Sequence, residues 1–153
     1  MAEETKDERL NRELEELLQE LRIALPGVQI LFAFLLVVPF NNRFSETDEL
    51  QRNVWFAAFL LALGAVACFI TPTAYHRIRF RDFDKERLVT TATRLAVVGL
   101  AFLAAALSAS AFFVTGFVFS DALAALVAAL AAGSMGGLWF ALPLLRKLRD
   151  ESA

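Results

Sequence analysis

Cysteine and histidine each occur once in this chain, at Cys68 and His76. A single thiol cannot build a disulfide framework, and it leaves the redox compartment unindicated. A single imidazole with no Cys, His or carboxylate at ligand spacing makes a poor metal site. His76 is read as an interfacial polar group, able to titrate near neutral pH. Common catalytic signatures are missing too: no nucleophile–base pair, no Gly-rich phosphate loop and no HExxH pattern occur. No catalytic residue, cofactor or metal site is expected, and a non-enzymatic role follows.

Charge is the most informative absence. Four runs contain none: Ile23–Asn42, Asn53–Tyr75, Leu95–Ser120 and Ala122–Leu145, of 20, 23, 26 and 24 residues. Leu, Ala, Phe and Val dominate each. A helix needs roughly 20 apolar residues to cross ~30 Å of hydrocarbon, so every run is long enough to span a bilayer. The period-two alternation of a membrane barrel strand is absent from all four. The expected fold is an all-α membrane protein, a bundle of four transmembrane helices at about 23–42, 53–75, 95–119 and 121–145.

Cations give the orientation. Of the 15 Lys and Arg, placing both termini in the cytoplasm puts 13 inside and leaves only Arg43 and Arg52 outside. That asymmetry predicts an inner-membrane protein with both ends cytoplasmic. The first 22 residues are acidic and hydrophilic, so no cleavable secretory signal is expected there. Residues 146–153 form a short cytoplasmic tail.

Before the first span, Leu10, Leu14, Leu17, Leu18, Leu21 and Leu25 fall on one helix face. Residues 1–8 are expected to fray, and residues 1–22 to form a short amphipathic cytoplasmic helix. Pro26-Gly27 is expected to kink or break the chain where the span begins. The amphipathic segment carries net −4 and the stretch His76–Arg94 carries net +3. This predicts that the first folds back on the second. Arg77, Arg79, Arg81, Lys85 and Arg87 are candidates for that contact or for anionic lipid.

Thr71-Pro72-Thr73 should bend or end the second span, while Asp82 or Asp84 caps a third helix running to about Val118. Ser45 or Thr47 is expected to cap the second helix, and Ser120 or Asp121 the fourth. Trp55, Tyr75 and Trp139 sit where interfacial aromatic belts fall. Small residues recur every four positions at Ala101, Ala105 and Ala109, and at Ala125, Ala129, Gly133, Gly137 and Ala141. Such ladders let helix backbones approach closely, so they are expected to pack the third span on the fourth, or one protomer on another.

Proton- and cation-coupled transporters hold ionisable residues inside their spans. Here none of the four uncharged runs contains Asp, Glu, Lys, Arg or His, and Asp121 stands at the edge of the last. A structural or accessory subunit, self-associating or bound to another membrane protein, is the favoured reading. The alternative is a small cation or proton transporter acting as an oligomer, with Gln29, His76 and Asp121 as its polar site. Ser108, Ser110, Thr115 and Ser134 are lesser candidates, since such hydroxyls usually bond to their own backbone. The expected partners are the bilayer, anionic lipid and a membrane protein or second copy; no nucleic-acid partner is expected.

Three blocks carry a resemblance: E-L-R-I-A-L-P-G-V-Q-I-L-F-A-F-L-L at Glu20–Leu36, P-T-A-Y-H-R-I-R-F-R at Pro72–Arg81 and D-K-E-R-L-V at Asp84–Val89. They resemble a family of small bacterial four-span membrane proteins of unknown function, and the likeness covers essentially the whole chain. Some members of that family bear an automatic sodium:proton antiporter label. The resemblance implies a four-span fold and transfers no catalytic or ligand residue.

Overall fold

In the computed structural model, residues 5–78 and 85–150 are described. Four helices in it are long and apolar enough to cross a membrane. Helix α1 spans Lys6–Val37. Two 3-10 turns follow, at Val38–Phe40 and Asn42–Glu46. Helix α2 spans Glu49–Ile78 and α3 Lys85–Val118. The last helical rod comprises α4 (Asp121–Met135), a π-turn (Gly136–Ala141) and α5 (Leu142–Asp150). No strand occurs among the described residues.

Several expectations at the N-terminus are corrected. Pro26 lies inside α1, which passes through it without a break, so there is no separate amphipathic helix. The leucine-striped segment is the first part of a helix about 48 Å long. Pro26 removes one backbone donor, yet a single missing bond does not end a helix when packing holds both sides. Nor is Thr5–Glu8 frayed. Thr5 Oγ1 donates to Glu8 Oε2 (2.7 Å), Thr5 N–H donates to the same oxygen (2.9 Å), and Glu8 N–H donates to Thr5 Oγ1 (3.4 Å). This reciprocal box satisfies donors that a helix start leaves orphaned. The two bonds that Thr5 donates hold the Glu8 carboxyl below its usual range.

The chain forms two compact units, Met1–Phe34 with Ala62–Phe102, and Leu35–Leu61 with Leu103–Ala153. Along α1, α2 and α3, buried positions recur every seven residues. On α1 they are Leu21, Val28 and Leu35; on α2, Gln51, Ala58, Ala65 and Pro72; on α3, Ala92, Gly99, Ala106 and Phe113. A seven-residue period is the signature of left-handed helix packing, whose knobs fill facing holes. The four-residue ladder at Ala101, Ala105 and Ala109 is not the buried seam of α3: Ala101 and Ala105 are exposed and Ala109 is half-buried.

Within the first unit, α2 and α3 exchange phenylalanines for glycines. A Cβ on Gly99 would meet Phe69 Cδ1 at 2.7 Å and Cys68 Cβ at 3.1 Å, and Phe69 is fully buried. A Cβ on Gly64 would meet the Phe102 ring at 3.2 Å. Each glycine thus opens the hole that a ring from the other helix fills. Lys6, the first residue of α1, pairs with Glu86 near the start of α3 (2.6 Å). Helix α1 thus runs straight out of the span rather than folding back, and its early residues lie beside α3. Lys6, Arg9, Leu10 and Glu13 line a groove there with Glu86, Val89 and Thr90, while residues 79–84 of the basic segment lie outside the described residues. The Lys6–Glu86 pair has the opposite polarity to the one expected. Both groups are largely exposed, so the pair contributes roughly 0–1 kcal/mol.

The second unit contains a repair of proline's backbone damage. Pro39 has no N–H to give the Leu35 carbonyl its usual partner four residues on. Trp55 of α2 supplies it instead, donating Nε1–H to Leu35 O at 3.0 Å. Capping of α2 falls to Asp48, whose Oδ1 accepts from Gln51 N–H (2.7 Å), rather than to Ser45 or Thr47. Thr47 Oγ1 donates backward to Phe44 O (2.7 Å). Ser120 caps α4 as expected, accepting from Leu123 N–H at 3.4 Å. Pro143 brings a further adjustment. Its ring would crowd the Trp139 carbonyl in a regular helix, and the π-turn ahead of it widens the coil, with Leu142 N–H reaching Gly137 O.

Candidate functional site: the open face of the fourth span

Helix α4 is most deeply buried near its start. A Cβ on Gly116 of α3 would lie 3.5 Å from Ala124 Cβ, and Ala124 is the buried residue of α4. The same spot is polar: Asp121 Oδ1 and Gln51 Nε2 lie 3.4 and 3.7 Å from that position. Gln51 and Thr47 are the buried polar residues of the described chain. Arg43 adds a cation 4.9 Å above the Phe117 ring. Gly116 therefore gives a carboxylate and an amide room to sit against the α3 backbone. Gln51 carried no sequence signal, because its position at the edge of a span reads as an ordinary helix start.

Further along, Val127, Ala128, Ala131, Met135 and Phe140 are half-buried, and the opposite face of the fourth span is bare. A methyl group added to Gly133, Gly136 or Gly137 would have nothing within 4 Å. Gly133, Gly137 and Ala141 form the floor of a trough of about 540 Å³, with Leu138, Leu142 and Leu145 beside them and Arg146 at its end. All of these residues belong to α4, the π-turn and α5. The expectation that Gly133 and Gly137 pack against α3 through Ala101, Ala105 and Ala109 is thus corrected. Small residues mark a face, but the turn at Phe119-Ser120 decides where that face points, and the hairpin closes on Gly116 and Ala124 instead. Ala125 and Ala129, from the same ladder, are exposed.

The other expected site residues fall on separate elements. Gln29 is exposed on α1, in the first unit, whereas Asp121 opens α4 in the second. The His76 and Lys85 side chains and all of Arg79 and Arg81 lie outside the described residues, as do Asp82 and Asp84. Arg87 is exposed on the first turn of α3, and Arg77 is exposed near the end of α2. Three of the four intramembrane candidate hydroxyls are occupied by their own helices: Ser108 donates to Ala104 O, Ser110 to Ala106 O and Ser134 to Ala131 O. No group of three or more His, Cys, Asp or Glu able to hold a metal occurs among the described residues.

An all-helical chain with four membrane-length apolar helices is the class defined by this geometry. The chain belongs to a family of unknown function (DUF6328), whose model matches residues 3–143. No curated protein and no solved structure matches it significantly.

Proposed function

We propose that this is a non-enzymatic integral membrane protein that works by association, offering its fourth span to a second copy or to another membrane protein. The observation that carries this reading is the open Gly133–Gly137–Ala141 face, flanked by Leu138, Leu142 and Leu145. In lipid, apolar side chains gain nothing by leaving the bilayer, so helices associate where small residues let backbones approach and dispersion contacts accumulate. The glycines of α2 and α3 are spent inside the chain; the fourth span keeps its glycines outward. A homo-oligomer is the simplest assembly with this property.

Cysteine cross-linking in native membranes tests the reading, in a Cys68→Ser background. Gly133→Cys and Gly137→Cys should form intermolecular disulfides, and Ala132→Cys, which is exposed on a different face, should not. Equal cross-linking at all three positions, or none, overturns it. The orientation belongs to the same proposal: an inner-membrane protein with both termini cytoplasmic, supported by the cation asymmetry. A thiol probe applied to intact cells should label Ser45→Cys, in the exposed loop before α2, and spare Asp150→Cys. Asp121, the carboxylate nearest a span, has a structural account as the first residue of a capped helix. Ion transport therefore gains no support from its position.

A further inference from the structure

Arg22 is the last charge before the first uncharged run, and Arg77 lies two residues beyond the second. Sequence therefore sets both at the edge of the hydrocarbon. The fold brings them to one groove of about 310 Å³ between α1 and α2, lined also by Leu18, Leu21, Leu25 and Thr73. Both arginines are exposed, and among the described residues neither is engaged in a hydrogen bond or ion pair. Leu21, by contrast, is buried at the groove floor. Because α1 runs unbroken through Pro26, the groove crosses the boundary: Leu25 lies within the uncharged run and Leu18 more than a turn outside it.

We propose that this groove is a binding site for an anionic glycerophospholipid, with Arg22 and Arg77 holding the headgroup phosphate and the three leucines receiving the start of an acyl chain. Guanidinium groups bind phosphate oxygens through paired N–H donors. Two of them on neighbouring helices converge on one phosphate. Thr73 supplies a hydroxyl to the same groove. A free phosphate would satisfy the cations and leave the leucines unused, whereas a lipid at the bilayer edge satisfies both. Each arginine near an anionic surface strengthens binding by about fivefold, so the pair gives about 25-fold over a neutral lipid.

Native mass spectrometry of the full chain in a neutral detergent provides the test. Phosphatidylglycerol should bind at one saturable site at least tenfold more tightly than phosphatidylcholine with the same acyl chains. Arg22→Gln/Arg77→Gln should abolish the preference, and Arg22→Lys/Arg77→Lys should retain part of it at unchanged helix content. Arg52→Gln/Arg146→Gln removes the same charge elsewhere and should leave the preference intact. Equal binding of the two lipids by the native chain overturns the site, as does an equal loss in the Arg52/Arg146 control. Displacement of phosphatidylglycerol by millimolar inorganic phosphate would assign the groove to the free ion instead.

Discussion

Removing the Trp55 indole N–H should cost more than its ring contacts suggest, and restoring a backbone N–H at position 39 should recover the difference. Trp55→Phe keeps an aromatic ring where the indole meets Phe44 edge-on (centroids 5.2 Å) and stacks on Phe59 (6.2 Å). What it removes is the bond to Leu35 O at 3.0 Å. Leu35 is buried, and Pro39 offers that carbonyl no replacement. An orphaned buried carbonyl costs about 1–3 kcal/mol, several-fold to over a hundredfold in the unfolding equilibrium. Pro39→Ala alone supplies a second donor to an oxygen already served, and its effect should be small. In the double variant the backbone N–H restored at position 39 can take over, so the two changes should couple by about 1 kcal/mol. Unfolding in mixed micelles followed by circular dichroism, run on all four members of the cycle, measures this. An interfacial anchoring role for Trp55 predicts a loss that Pro39→Ala cannot rescue. Additivity within ~0.3–0.5 kcal/mol would falsify the hydrogen-bond account.

Gly99→Ala should destabilise the first unit by about 1–3 kcal/mol, since Phe69 is fully buried and has no room to retreat; Gly64→Ala should cost less, and unfolding midpoints rank the two. Gly133→Ala should leave monomer stability unchanged or raised by up to ~1 kcal/mol through helix propensity, while Gly137→Ile should shift the oligomer toward monomer in size-exclusion light scattering. Because folding lowers the Glu8 carboxyl pKa, the stabilisation is present above the unfolded value and lost as pH falls through the folded one. Amides at the start of α1 should therefore lose protection from hydrogen exchange in acid, and Thr5→Ala should remove that pH dependence. Pro143→Ala should relax the π-turn to a regular helix, rotating residues 121–135 relative to 142–150 by about 100°, the twist of one residue, which spin-label distances across the turn would detect.

The uncharged runs made the four spans legible before any coordinates, because length and hydrocarbon thickness are the only quantities that question needs. The end of α3 at Val118 and the Ser120 cap were legible for a similar reason: local polar chemistry decides them. Thr5-Lys6-Asp7-Glu8 carried a readable capping box as well, in a stretch whose polarity suggested fraying.

What the sequence by itself determined, then, is the number, length and approximate ends of the spans. Their faces were decided only by tertiary structure. In water, the buried side of a helix betrays itself by hydropathy; in lipid both sides are apolar, so the seven-residue seam of Val28, Ala65 and Gly99 looks no different from its surroundings. Gly99 and Gly64 matter because Phe69 and Phe102 reach them from another helix, and that pairing depends on register. The same holds for Leu35, whose carbonyl was orphaned by a proline visible in the sequence but rescued by a tryptophan 20 residues away. Pro26 read as a break and sits inside a helix, since flanking contacts outweigh one missing hydrogen bond. The four-residue ladder of α4 was plain in the sequence, yet whether it faces inward or out was settled by the geometry of a two-residue turn.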